Sequence, residues 1–289
     1  MSTPFAAGPN PYASPVMPPA PAPILPTGAG PTSLDCMRAY NFIFENPSWM
    51  TTVLLMGLVF IGTMIPGVGI ILQLLFIGYQ FMIVDSLLAT QGSHYPTFDF
   101  GRLGDYLSRG LWPFLVSLVA TFVLLPVLYI GLIVGVFAIG GLASAGGDDL
   151  GPIIGLVLGS LFGLAFIALM LAAAFYFFAM QIRSGLAQDF GSAFQFAWLN
   201  DFVRRMWVDM VIVALFMIVS VLLLEVIGLL AFCVGIFFVL PLVVMAQAHF
   251  LYQLYSIYLS RGGTPVFNKT QYLQPSLAPA PPPFPPKPM

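Results

Sequence analysis

Apolar residues gather in three blocks along the chain, at residues 49–90, 111–181 and 206–258. A helix rises 1.5 Å per residue, so about 20 apolar residues cross a hydrocarbon core of about 30 Å. Each block is too long for one crossing, and each has an internal break. The breaks are Pro66 with Gly67, the polar run SAGGDDLGP around Asp148 and Asp149, and the glycine-flanked stretch from Gly228 to Gly235. The pattern predicts an all-α polytopic membrane bundle of about six transmembrane helices, paired as three hairpins. In the first block the stretch from Trp49 to Ile65 has only 17 residues, so a full crossing and a re-entrant pair are both open there.

Each block opens on a tryptophan (Trp49, Trp112, Trp207) and follows a short amphipathic stretch, near residues 35–45, 99–109 and 189–205. In the third stretch Phe190, Phe194, Trp198, Phe202 and Met206 recur every four residues, on one helix face with Arg204 and Arg205 at its end. A helix of that kind lies in the membrane interface. Asp99-Phe100-Gly101 and Asp189-Phe190-Gly191 stand 90 residues apart, so interfacial helix plus hairpin reads as a unit used three times. The Asp-Phe-Gly triplet also occurs in protein kinases, but the rest of the kinase signature is absent. The aspartate is read as a helix head that accepts bonds from free N–H groups.

Proline delimits the membrane domain, residues 35–260. Ten of the 26 prolines lie in residues 1–34 and nine in residues 265–289. Low-charge, proline-rich tails at 1–34 and 261–289 are expected to be disordered with polyproline II character. The ending PPPFPPKPM suits docking to cytoplasmic proteins.

Composition excludes most soluble alternatives. Charged residues make up 7% of the chain and hydrophobic residues 59%, against about 25% charged in an ordinary soluble domain. Mean hydropathy is +0.96. A net charge of −2 gives no footprint for nucleic acid. The opening MSTPFAAGPN has no signal-peptide pattern, so the first span is expected to direct insertion. All nine basic residues fall in tails or between blocks, and the one charged tip carries Asp148 and Asp149. The positive-inside bias therefore puts both termini in the cytoplasm.

Candidate chemistry is sparse. Asp85 and Glu225 are acids within apolar runs, where an ionisable residue is a functional candidate. Glu225 lies 18 residues past Trp207 and Asp85 19 past Pro66, which is about 27 and 28 Å along a helix, so both also reach headgroups. Gln73, Gln80, Gln247 and His249 complete a candidate polar pathway. The tyrosines at 252, 255 and 258 read as an interfacial aromatic belt. Cys36 and Cys233, with His94 and His249, give no metal spacing, and no nucleophile motif is present. No cofactor, metal or catalytic residue is assigned, and the chain is read as a non-enzyme. Gly151, Gly155, Gly159 and Gly163 form a stripe on one helix, with Gly131 and Gly135 on the helix before it. Such stripes let backbones approach closely, either within the hairpin or in a homo-oligomer.

The stretches GYQFMIVDSLLA, PTFDFGRLGDYLSRG, GSAFQFAWL and CVGIFFVLPLVVMAQAHFLYQLY resemble a family of uncharacterised multi-pass membrane proteins of bacteria and archaea, a domain of unknown function. The likeness spans roughly residues 46–260. It implies a prokaryotic inner-membrane location and carries no activity, cofactor or site residue. The first functional expectation is a non-enzymatic membrane scaffold or accessory subunit that recruits partners through its tails and cytoplasmic interfacial helices. The alternative is a transporter or lipid-handling protein with a polar pathway between hairpins. A polar cavity open to one side would favour the alternative, and a solid glycine-packed bundle the scaffold.

Overall fold

The computed structural model describes residues 30–65, 67–231 and 235–268. The proline-rich segments 1–29 and 269–289, with Pro66 and Cys233, lie outside them. The described residues form seven α-helices and no strand: α1 Arg38–Glu45, α2 Trp49–Gly62, α3 Val68–Thr90, α4 Leu103–Ala145, α5 Gly147–Ala187, α6 Phe196–Leu230 and α7 Gly235–Ser260. The expected all-helical architecture is what the described residues adopt.

Local chemistry sets the ends of these helices. Gly67, at φ 84°, turns the chain into α3. Gln91 and Gly92, both left-handed, end α3, and both backbone N–H groups reach back to the Leu87 carbonyl. Gln188 closes α5 in the same conformation. The two Asp-Phe-Gly triplets do parallel work. The Asp99 carboxylate accepts from Gly101 N at 2.8 Å, and the Asp189 carboxylate accepts from Ser192 N at 2.8 Å. Each starts a single 3₁₀ turn, Phe100–Arg102 or Gly191–Phe194, that feeds the next long helix.

Five helices, α3 to α7, are long and apolar enough to cross a membrane, and α1 with α2, bent by 106°, forms a sixth candidate. Helix α2 has 14 residues, about 21 Å. Its N–H groups continue through Thr63, Met64 and Ile65 onto carbonyls three residues back, which adds about 6 Å at 3₁₀ rise. Helices α4 and α5 run 43 and 41 residues. At about 64 and 61 Å they are twice the core thickness, so this hairpin is inclined or reaches past it. The polar run expected to break it is reduced to a tight corner at Gly146, with Gly147 at φ 67°.

Two expectations differ from the structure. The stretches at 99–109 and 189–205 are not separate interfacial helices, because α4 and α6 run unbroken from them into the apolar segments. In α6 the stripe Trp198, Phe202 and Met206 continues into Met210 and Val213, all buried. That stripe packs on protein: the Trp198 and Phe202 rings lie 5.2 and 5.0 Å from the Tyr258 ring. Of the three stretches, α1 alone is a short amphipathic helix of its own. It buries Ala39, Phe42 and Ile43 and leaves Phe44 exposed, as is Met37 just before it.

The tyrosines expected as an interfacial belt are the second difference. Tyr252, Tyr255 and Tyr258 are buried, on a helix that packs against α1, α2, α3 and α6. Buried phenols need partners. Tyr258 donates to Asp201 at 2.8 Å and accepts from Thr264 N at 3.0 Å. Tyr255 accepts from Val266 N at 2.9 Å, and the Trp198 indole donates to the Thr264 carbonyl at 2.9 Å. The segment after α7 thus folds back onto the core. The linker after α3 does likewise. Tyr95 donates to the Ile43 carbonyl at 2.7 Å, Asn46 to the Tyr95 carbonyl at 3.0 Å, and Tyr79 to the Pro96 carbonyl at 2.8 Å. Burial holds the Tyr95 phenol above its ordinary pKa, so it remains a donor. The core sits where α3, α5 and α7 end and α4 and α6 begin. Towards the acidic tip α4 and α5 keep their most apolar windows unburied by protein, as lipid-facing helices do.

Candidate functional site: a polar cavity among five helices

Helices α3 and α4 cross with backbone against backbone. An added Cβ at Gly78 would lie 1.7 Å from the Tyr106 carbonyl oxygen, and one at Gly110 would lie 2.2 Å from the Leu74 carbonyl oxygen. This contact fixes how α4 leaves α3. Beyond it α3 to α7 enclose a cavity of about 490 Å³.

Helical spacing explains the lining. Gln73, Ile77 and Gln80 share a face of α3, Ser117 and Thr121 a face of α4, and Gln247, Leu251 and Leu254 a face of α7. Gln181 enters from α5, and α6 supplies only apolar side chains, such as Met210 and Val213. The Gln80 amide faces the Gln247 carbonyl oxygen at 3.5 Å, the outer limit of a hydrogen bond. Gln181 donates to the Ser117 hydroxyl. Gln73 and Thr121 have no side-chain partner among the described residues. Gln73 and Gln247 are exposed, so the cavity opens to the outside of the bundle.

Of the sequence-derived pathway residues, Gln73, Gln80 and Gln247 meet in this cavity, and Asp85, Glu225 and His249 do not line it. Asp85 is engaged by Arg109 in a two-pronged ion pair, Nε to Oδ2 at 2.8 Å and Nη2 to Oδ1 at 2.7 Å. Arg109 also donates to the Gly185 carbonyl at 2.6 Å, and Gln188 donates to the carbonyls of Arg109 and Gly185 at 3.0 and 2.9 Å. The guanidinium lies 5.8 Å from the centroid of Phe81, whose ring faces the cavity. These contacts make a polar clamp of α3, α4 and α5, with Phe81 between it and the cavity. His249 is buried on the α1 side of α7. Its Nδ1 is 2.8 Å from the Gln253 amide and its ring 4.6 Å from Phe42. Glu225 is exposed on α6 with no partner among the described residues.

The glycine stripe packs only in part. A Cβ at Gly135 would strike the Phe162 ring at 2.1 Å, and one at Gly151 would meet the Ala143 carbonyl oxygen at 2.5 Å. Gly155 has ordinary contact with Ala143, and Gly131, Gly159 and Gly163 face open space. Sequence reasoning missed Gly78, Gly110, Ser117, Thr121 and Gln181. Neither glycine has another at helical spacing, three or four residues away, to flag it. Gln181 sits at the very end of its block, next to the charged linker. Among the described residues no group of three His, Cys, Asp or Glu side chains is placed to hold a metal ion.

The model of a family described as "Protein of unknown function (DUF4013)" matches residues 61–233, more than half of the 289 residues. No curated protein and no solved structure matches the chain.

Proposed function

The chain belongs to the DUF4013 family of proteins of unknown function, and we propose that it is a lipid-handling membrane protein that receives an amphipathic molecule from the bilayer in the cavity of α3 to α7. One observation carries this reading. Gln73, Gln80 and Gln247, from two distant parts of the sequence, meet with Gln181, Ser117 and Thr121 in one cavity whose remaining lining is apolar and which opens sideways. A cavity of this size suits small-molecule ligands, which occupy pockets of about 300–1,000 Å³. Carboxamides and hydroxyls bind and orient without titrating near neutral pH, which suits binding and passage rather than bond-making. The scaffold reading rests on the proline-rich tails, outside the described residues, and on interfacial helices, of which the stretches at 99–109 and 189–205 instead run into α4 and α6.

In the membrane the chain makes six crossings with both termini in the cytoplasm. Helix α2 and the turn to Ile65 together span about 27 Å, close to a thin hydrocarbon core. The basic residues among the described ones then lie on the side where α3, α5 and α7 end. A prokaryotic inner membrane suits this arrangement.

The test is to purify the protein and identify the lipid it retains by mass spectrometry. Ala214 lines the cavity, so Ala214→Trp fills it. Retained lipid is expected to fall about tenfold, equivalent to about 1.4 kcal/mol of affinity. Undiminished lipid in a folded Ala214→Trp variant would place the retained lipid elsewhere and sink the reading.

A further inference from the structure

Granting that the cavity receives a lipid, its lining specifies the head. We infer that the ligand carries an uncharged, hydrogen-bonding head of the glyceride type, with a free hydroxyl and ester carbonyls, and that lipids with an ionised phosphate are refused. Three observations converge on this.

None of the residues lining the cavity is ionisable, and its polar groups are four carboxamides and two hydroxyls. Carboxamides offer both donors and acceptors. They match a hydroxyl, which needs both, and ester carbonyls, which need donors.

These groups also have capacity to spare. Gln80 and Gln247 approach only to 3.5 Å, and Gln73 and Thr121 have no side-chain partner among the described residues. With these two side chains parted by a rotamer change, a ligand hydroxyl would accept from the Gln80 amide and donate to the Gln247 carbonyl oxygen.

The cation beside the cavity is already committed. Arg109 uses Nε and Nη2 on Asp85 and Nη1 on the Gly185 carbonyl, with the Phe81 ring between it and the cavity. A phosphate entering here would lose water and gain no counter-charge, an unfavourable exchange in a low-dielectric site. The aromatic and aliphatic side chains, Phe175, Phe178 and Phe250 among them, suit acyl chains. A volume of about 490 Å³ holds a head and the first part of its chains, and the rest would leave through the open side.

The experiment uses the full chain in phosphatidylcholine nanodiscs with two photoreactive probes. One is a diacylglycerol and the other a phosphatidylglycerol, with the same diazirine-bearing acyl chain. Labelled peptides are mapped by mass spectrometry. Diacylglycerol is expected to label the cavity faces of α3, α5 and α7 at least about tenfold more than phosphatidylglycerol. The double variant Gln80→Leu with Gln247→Leu is expected to lose that preference, and the single variant Gln73→Leu serves if the double variant does not fold. Equal or stronger cavity labelling by phosphatidylglycerol overturns the inference and leaves the lipid-handling reading standing. An unchanged preference in the folded Leu variants overturns it too, because the carboxamides would then not read the head. Absence of cavity labelling by either probe defeats the lipid-handling reading itself.

Discussion

Gly78 on α3 and Gly110 on α4 meet with no side chain between them: a Cβ on Gly110 would lie 2.7 Å from the Gly78 nitrogen. Replacing a helical glycine by alanine ordinarily gains up to about 1 kcal/mol from propensity. Here a methyl would meet backbone, which cannot rotate away. Gly78→Ala and Gly110→Ala are therefore each expected to destabilise by about 1–3 kcal/mol, the cost of overpacking, read as a lower melting temperature in detergent. Gly159→Ala, facing open space, is expected to be neutral or slightly stabilising. Equal behaviour of the three variants would show that the α3–α4 crossing is looser than described.

The Arg109–Asp85 pair makes a second prediction. Side-chain exposure is 12% for Arg109 and 44% for Asp85, between an exposed pair worth under about 1 kcal/mol and a buried one costing about 3–5 kcal/mol to break. Asp85→Ala is expected to cost about 2 kcal/mol by leaving the more buried cation unpaired. In a double-mutant cycle with Arg109→Met, the two effects should be far from additive. Additive losses would mean that the two side chains act separately.

Topology is checked by labelling. With Cys36 and Cys233 replaced by serine, Gly147→Cys and Gln188→Cys should react from opposite sides of the membrane. Reaction of both with an impermeant reagent in intact cells would contradict six crossings with cytoplasmic termini.

Tyr95 supplies a pH dependence. Its phenol is held above the ordinary value by burial, so the folded state keeps a proton that the unfolded chain begins to release near pH 10. The stabilisation is complete below that pH and is lost as pH rises from there towards the folded pKa. Melting temperature measured from pH 8 to 11 should fall at the alkaline end. Tyr95→Phe should lie lower throughout, by about 1 kcal/mol for the lost bond to Ile43, with a shallower alkaline fall. Parallel curves would assign the slope to other groups.

The hydrophobic pattern was enough to read three apolar blocks and an all-helical bundle, because crossing lipid leaves few solutions for the backbone. It also singled out Gln73, Gln80 and Gln247, since amides inside apolar runs are conspicuous. The pattern is silent on what lies across from a helix face. Tyr252, Tyr255 and Tyr258 next to Arg261 look alike whether they face headgroups or a protein core, and the segment that covers them comes after the helix has ended. Four glycines spaced by four define a stripe, yet such a stripe drifts about 40° round the helix at each step, so Gly159 and Gly163 meet open space while Phe162 between them meets Gly135. Gly78 and Gly110 carry the closest contact and show no periodicity. In α6 the stripe from Trp198 to Met206 gave the right face, but nothing in that spacing separated an interface-lying helix from the first turns of a long one.

The Gln253 amide grips Asp35 through both of its backbone groups, at 2.8 Å each, and Tyr255, two residues on, holds Val266. The roots of the two proline-rich segments are thus moored to one turn of a single helix. Loosening that turn would release both moorings together.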